Sequence, residues 1–228
     1  YASTFFPSIS PNNIIITSPI TVSAGQVIAV VMILLFSAVN YIGLGVGKTI
    51  QNVITVIKIA SIIIFVIAGL AVGTETPDFR LSFQFDGFSS MITAFGGGLV
   101  AVFWTFGGWE YVTAVGGEIR NPQRNLPRAL LIGTGMATVL YLLLNIVYLR
   151  ALPIDEMAGV VTIGETTARS LFGSLGGRFM VVAIIISVMG ALNGAVLTGP
   201  RVYYAMAQDG LFFKHAAEIH PRFHTPAK

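Results

Sequence analysis

Trp104-Thr-Phe-Gly-Gly-Trp109, followed at once by Glu110, lies inside an apolar run long enough to cross a bilayer. A buried helix has no local reason to carry two adjacent glycines and a carboxylate. Glycine weakens a helix interior by roughly 1 kcal/mol relative to alanine. An ionisable group at membrane depth costs roughly 2.5–3.5 kcal/mol on insertion scales. A helix broken at the midplane, its freed backbone groups turned to a cavity, is how secondary transporters hold small polar solutes. The stretch therefore points to a discontinuous membrane helix, and the rest of the chain tests that reading.

Of the 228 residues, 54% are hydrophobic and only 10% charged, and the mean hydropathy is +0.81. Soluble domains carry about 25% charged residues, so this composition belongs in a lipid bilayer. The net charge of +3 comes from 13 basic against 10 acidic residues, without a basic run of the kind nucleic acid needs; no nucleic-acid partner is expected. With no cysteine, disulfides, thiolate metal sites and a cysteine nucleophile are excluded. The chain begins at Tyr1 and ends at Lys228, and the expectation is that both ends are truncations of a longer protein.

Five apolar segments approach the ~20 residues that span a hydrocarbon core. They centre on residues 22–44, 53–72, 91–116, 129–149 and 179–200, with helices expected over 22–44, 46–72, 91–116, 128–150 and 178–207. In lipid the backbone must satisfy itself, so such segments are helices. The fold expected is all-α and integral to the membrane. If residue 1 lies outside, the inner segments hold Lys48, Arg120, Arg124, Arg128, Lys214, Arg222 and Lys228. The outer ones hold only Arg80, Arg150, Arg169 and Arg178, against the acids Glu75, Asp78, Asp86, Asp155, Glu156 and Glu165. This bias places residue 1 outside and residue 228 in the cytoplasm. Within the long outer loop, residues 163–172 suit a short surface helix, punctuated by Pro153 and by Gly173, Gly176 and Gly177.

An opened helix presents carbonyls from its first half and N–H groups from its second, which attract ammonium and carboxylate groups respectively. A zwitterion fits such a gap. Gly107 and Gly108 are read as that opening, and Gly96 to Gly98 as a surface for close helix packing. On the second span Gln51, Thr55 and Lys58 recur at helical spacing, with Ser61 just beyond. Lys58 lies about six residues inside the apolar run. It either snorkels to the inner surface or serves as an internal amine donating to freed carbonyls, the reading preferred here. Ser187, Gly190, Ala191 and Gly194 form a small-residue face on the last span. Asn193 is either a substrate contact or an interhelical hydrogen bond, and Arg201 and Asp209 flank the inner end.

Other signals fail. Gly43-Leu-Gly-Val-Gly-Lys-Thr49 is one residue short of a phosphate-binding loop and follows a membrane helix rather than a strand, so it is read as a tight inner turn. His220 and His224 are separated by Pro221, which opposes the helix that would align them, and no metal or cofactor is expected. Without HExxH, GxSxG or paired intramembrane carboxylates, no enzyme activity is expected.

Four stretches resemble the amino acid–polyamine–organocation superfamily, in its L-type amino acid transporter branch. Asn40-Tyr-Ile-Gly43 through Gln51-Asn-Val-Ile-Thr-Val-Ile-Lys58 is similar to the junction of that family's fourth and fifth helices. Phe103-Trp-Thr-Phe-Gly-Gly-Trp109 is similar to its discontinuous sixth helix. Gly117-Glu-Ile-Arg-Asn-Pro-Gln-Arg-Asn-Leu-Pro-Arg128 is similar to the loop before the seventh. Asn193-Gly194 through Arg201-Val-Tyr-Tyr-Ala-Met-Ala-Gln-Asp-Gly210 is similar to the eighth and its inner end.

The resemblance implies a twelve-helix protein with a five-plus-five inverted repeat. Residues 1–228 would be a single partial transporter domain covering helices four to eight, and the first helix, with half of the site, would be missing. It implies secondary transport of amino acids by alternating access, as sodium-independent exchange or proton-linked uptake of neutral amino acids, in a plasma or cell membrane. Trp104, Thr105, Phe106, Gly107, Gly108 and Asn193 become substrate contacts, and Trp104 an aromatic gate. Lys58 matches a lysine that replaces a sodium site, and Glu110 either biases the site toward cationic solutes or bonds neighbouring helices. The loop Phe5-Phe-Pro-Ser-Ile-Ser-Pro11 lacks the cysteine with which animal relatives bond a glycoprotein heavy chain, so no disulfide-linked partner is expected. A channel, or a non-transporting receptor or scaffold, is the alternative on this fold.

Overall fold

The computed structural model describes residues 1–18, 20–42, 44–73, 75, 87–221 and 225. The loop charges Asp78, Arg80 and Asp86, and Arg222, His224 and Lys228 near the end, lie outside the described residues. Among the described residues seven α-helices follow in chain order: α1 (Ala24–Ile42), α2 (Leu44–Val72), α3 (Phe88–Thr105), α4 (Tyr111–Ala114), α5 (Pro122–Ala151), α6 (Ile154–Met157) and α7 (Ile163–Gln208). Five of them, α1, α2, α3, α5 and α7, are long and apolar enough to span a membrane. The protein is an all-α, multi-pass integral membrane protein. Ile and Val crowd α2, yet it is helical from end to end, because only a helix satisfies a lone segment's backbone in lipid.

The ends of the helices differ instructively from the sequence expectation. α1 starts at Ala24 because Val22–Ser23 (β2) pairs antiparallel with Ile14–Ile16 (β1). The stretch read as an inner turn is already helix from Leu44 onward. Gly47 suits that position because a Cβ there would collide with the Asn40 side chain. α7 is interrupted at Gly173 (φ 70°, ψ −166°), so residues 163–172 form a short helix and a second runs on from 174, but the first is not the surface helix expected: Gly164, Thr167 and Ala168 are buried.

α2, α5 and α7 form the packed centre, where Phe65, Val66, Val147 and Ala168 are buried together. Phe172 meets Phe65 edge-on at 6.2 Å. Two glycines permit the close crossings: a Cβ on Gly69 would strike Val147, and one on Gly190 would strike Ile54.

The helices alternate in direction. The Arg150 guanidinium donates to the Gly73 carbonyl, Ser170 Oγ donates to the Ala151 carbonyl, and the N-terminal segment packs on the start of α7, all at one end. There, burial first and the Glu165 carboxylate second push the Tyr1 phenol above its ordinary pKa. At the other end the tail folds back on the α1–α2 junction, where Thr225 Oγ1 donates to the Tyr41 carbonyl and His220 lies edge-on to Tyr41.

Candidate functional site

The third crossing opens where its glycines stand. α3 stops at Thr105, residues 106–110 are turn, and only one helical turn, α4, resumes afterwards. Gly108 adopts φ 103°, which side-chain-bearing residues rarely reach. The Gly107 N–H donates to the Trp104 carbonyl at 3.2 Å, a tightened final turn. Among the described residues no hydrogen bond reaches the carbonyls of Phe103, Phe106 or Gly107. The carbonyl half of the opening is thus as the sequence suggested. The N–H half is so only in part: among the described residues no bond is donated by the Trp109 or Glu110 N–H, but that of Gly108 is taken. α4 is four residues long, and Glu110 Oε2 accepts the Gly108 N–H at 2.9 Å, so the chain's own carboxylate occupies this opened donor. Glu110 therefore bonds within the break and makes no bridge to a neighbouring helix among the described residues.

A cavity of about 260 Å³ lies against the break. Its walls include Thr105, Phe106, Gly107, Gly108 and Trp109 on one side and Leu130, Thr134, Ala137 and Tyr141 of α5 on the other. Tyr141 was not legible in the sequence. Its hydroxyl donates to the Thr105 carbonyl at 3.2 Å, and its ring stands edge-on to Phe106 at 5.2 Å. A tyrosine in a largely apolar span needs a partner for its hydroxyl, and that demand was the available signal. Trp104 stays outside the cavity wall and is 87% exposed.

The other expected site residues lie elsewhere. Asn193 is completely buried, and its amide joins three elements. It accepts from Asn40 Nδ2 at 2.9 Å and donates to Gln51 Oε1 at 2.8 Å and to the Gly47 carbonyl at 3.4 Å. It lines neither cavity, so of the two readings the interhelical bond is the one observed. Lys58, with Ser61, Tyr148 and Ser187, borders a second and largely apolar cavity of about 510 Å³ between α2, α5 and α7. Its Nζ would lie 3.9 Å from a Cβ built on Gly190, so the amine is held between helices instead of snorkelling outward. The two cavities share no lining residue, so among the described residues Lys58 is not brought to the carbonyls of the break. Gly96 to Gly98, read as a packing surface, face open space, because the rest of the described chain leaves α3 uncovered. No group of three or more potential metal ligands occurs among the described residues.

The amino acid permease family matches the chain over residues 1–228. The serine/threonine exchanger SteT of Bacillus subtilis (strain 168) is 35% identical over 207 residues, covering 88% of this chain and 45% of that protein. The human b(0,+)-type amino acid transporter 1 is 29% identical over 204 residues, 88% of this chain and 41% of its own length. The human cystine/glutamate transporter is 26% identical over 201 residues, 87% and 38% respectively. The chain thus spans less than half the length of these curated relatives. A glycine-broken crossing beside a small polar-edged cavity, within a sequence matched from its first residue to its last, shows that the chain belongs to the amino acid permease family.

Proposed function

We propose that the protein carries amino acids across a membrane by alternating access, as sodium-independent exchange or proton-linked uptake of neutral amino acids. In this reading the chain is one partial transporter domain supplying helices four to eight. The observation that carries the reading is the interruption at residues 106–110, where the Phe106 and Gly107 carbonyls, without partners among the described residues, stand beside a cavity. Such carbonyls, at the negative end of a helix, suit the ammonium group of an amino acid. Thr105, Phe106, Gly107 and Gly108 are the contacts, and Trp104 closes over the solute from its exposed position. Because Glu110 already takes the Gly108 N–H, the substrate carboxylate is held elsewhere, by a part of the transporter outside this chain. Lys58 acts as an internal cation between helices, in place of a coupling sodium ion. Asn193 supports the site through its interhelical bonds, without touching solute. The membrane is the cell membrane, with residue 1 outside and residue 228 in the cytoplasm, and assembly needs no disulfide-linked heavy chain.

Uptake of labelled amino acids by the full-length protein in liposomes is the test. Saturable flux of at least one neutral amino acid is expected, and a broad panel without any would overturn the proposal. Gly108→Ala forces a Cβ into φ 103°, a strain of about 1–3 kcal/mol. Flux in that variant should fall about tenfold or more while the protein still folds. Unchanged flux would remove the opened backbone from the mechanism.

A further inference from the structure

The start of α5 carries a face unrelated to the break. Arg124 and Arg128 sit two residues either side of Leu126, so both lie about 200° round the helix from that half-buried leucine. Both are exposed, and they are about 6 Å apart along the axis. Arg120 joins them from the preceding turn. Asn121, at φ 49°, turns the chain into Pro122, and Asn125 Nδ2 donates to the Arg120 carbonyl at 2.5 Å. Glu118 stands two residues before Arg120, and from there to the end of α5 the chain holds no further Asp or Glu. Down the helix the same outward face continues as Leu131, Ile132, Val139 and Leu142, all exposed.

The guanidinium groups of Arg124 and Arg128 therefore sit above a stripe of aliphatic surface, with Arg120 just before the helix, at the end of the apolar run. Guanidinium forks match phosphate oxygens in pairs, and basic residues flanking a span are drawn to anionic lipid. We propose that Arg120, Arg124 and Arg128 form a docking site for the headgroups of anionic phospholipids, whose acyl chains lie along the aliphatic stripe of α5. A zwitterionic lipid carries its own cation beside the phosphate and competes poorly for such a site.

The full-length protein in nanodiscs of phosphatidylcholine with a minor share of phosphatidylglycerol tests this, with bound lipid counted by native mass spectrometry. The parent should retain phosphatidylglycerol in excess of its share. The double variant Arg124→Gln/Arg128→Gln should lose that preference roughly fivefold or more, and Arg124→Lys/Arg128→Lys should keep most of it. Arg178→Gln, exposed at the opposite end of the bundle, should leave it unchanged. Equal retention by the glutamine pair overturns the proposal, as does a parent without preference. If the pair does not fold, the single Arg124→Gln carries the same comparison. Displacement by soluble glycerol phosphate as complete as by lipid would assign the arginines to a free anion and overturn lipid docking.

Discussion

A Cβ placed on Gly190 runs into Ile54 of a neighbouring helix, and one placed on Gly97 meets nothing. Both glycines sit inside spanning helices, on faces where sequence alone suggests close packing. The difference lies in the partner. α7 presents Gly190 to α2 across the packed centre, and α3 presents Gly96 to Gly98 to open space. Glycine in lipid thus serves two ends, letting backbones approach and letting a helix come apart, and only the neighbour tells them apart.

The sharpest way to break this contrast is to fill the crowded position. Gly190→Leu forces α2 and α7 apart where Ile54 and the Lys58 amine already lie. Overpacking of this kind costs about 1–3 kcal/mol, occasionally more. Thermal unfolding of the full-length protein should show a clearly lowered midpoint, and an unchanged one would mean that this crossing is looser than described.

One turn along the same face, Asn193→Leu tests the polar part of the seam. The variant leaves the half-buried Gln51 Oε1 without its partner, at about 1–3 kcal/mol, and takes from Asn40 Nδ2 one of two bonds, that to the Phe36 carbonyl remaining. A lowered midpoint is expected, with Asn193→Gln milder because it can keep one bond. If leucine were tolerated while substrate affinity collapsed, Asn193 would touch solute after all.

The five crossings were legible because length and apolar character leave a lipid-bound backbone no alternative. The break was legible too, since Gly107, Gly108 and Glu110 contradict an ordinary helix at three sites within four residues. Gly173 announced the division of α7 for the same reason. What the chain does not write along itself is tertiary pairing. Lys58 has helical spacing with Gln51, yet spacing says nothing of which cavity an amine enters, and it entered the one away from the break. β1 and β2 are too short, at three and two residues, to show alternation. Glu110 was recognised as unusual, but a bond to an N–H two residues back depends on a turn whose geometry residue types do not dictate.

Tyr141 offers a finer test of the open region. Tyr141→Phe keeps the edge-on ring contact with Phe106 and deletes only the bond to the Thr105 carbonyl. A single neutral bond is worth about 0.5–1.5 kcal/mol net. The expected result is a several-fold change in transport rate with the melting midpoint nearly preserved. A large loss of stability with normal transport would instead make Tyr141 a strut for α5.

The smallest effect belongs to Gly97→Ala, and it asks the most of the comparison. Nothing described lies within 4 Å of the added methyl, and the residue is helical without a positive φ. Helix propensity then favours alanine by up to about 1 kcal/mol, so the full-length variant should melt at the parent's temperature or slightly above. A drop comparable to that of Gly190→Leu would require a backbone packed tightly on α3 in the whole transporter. The two glycine clusters would then be doing the same job against different neighbours, and the distinction between approach and opening would hold only for Gly107 and Gly108, where the backbone itself is broken.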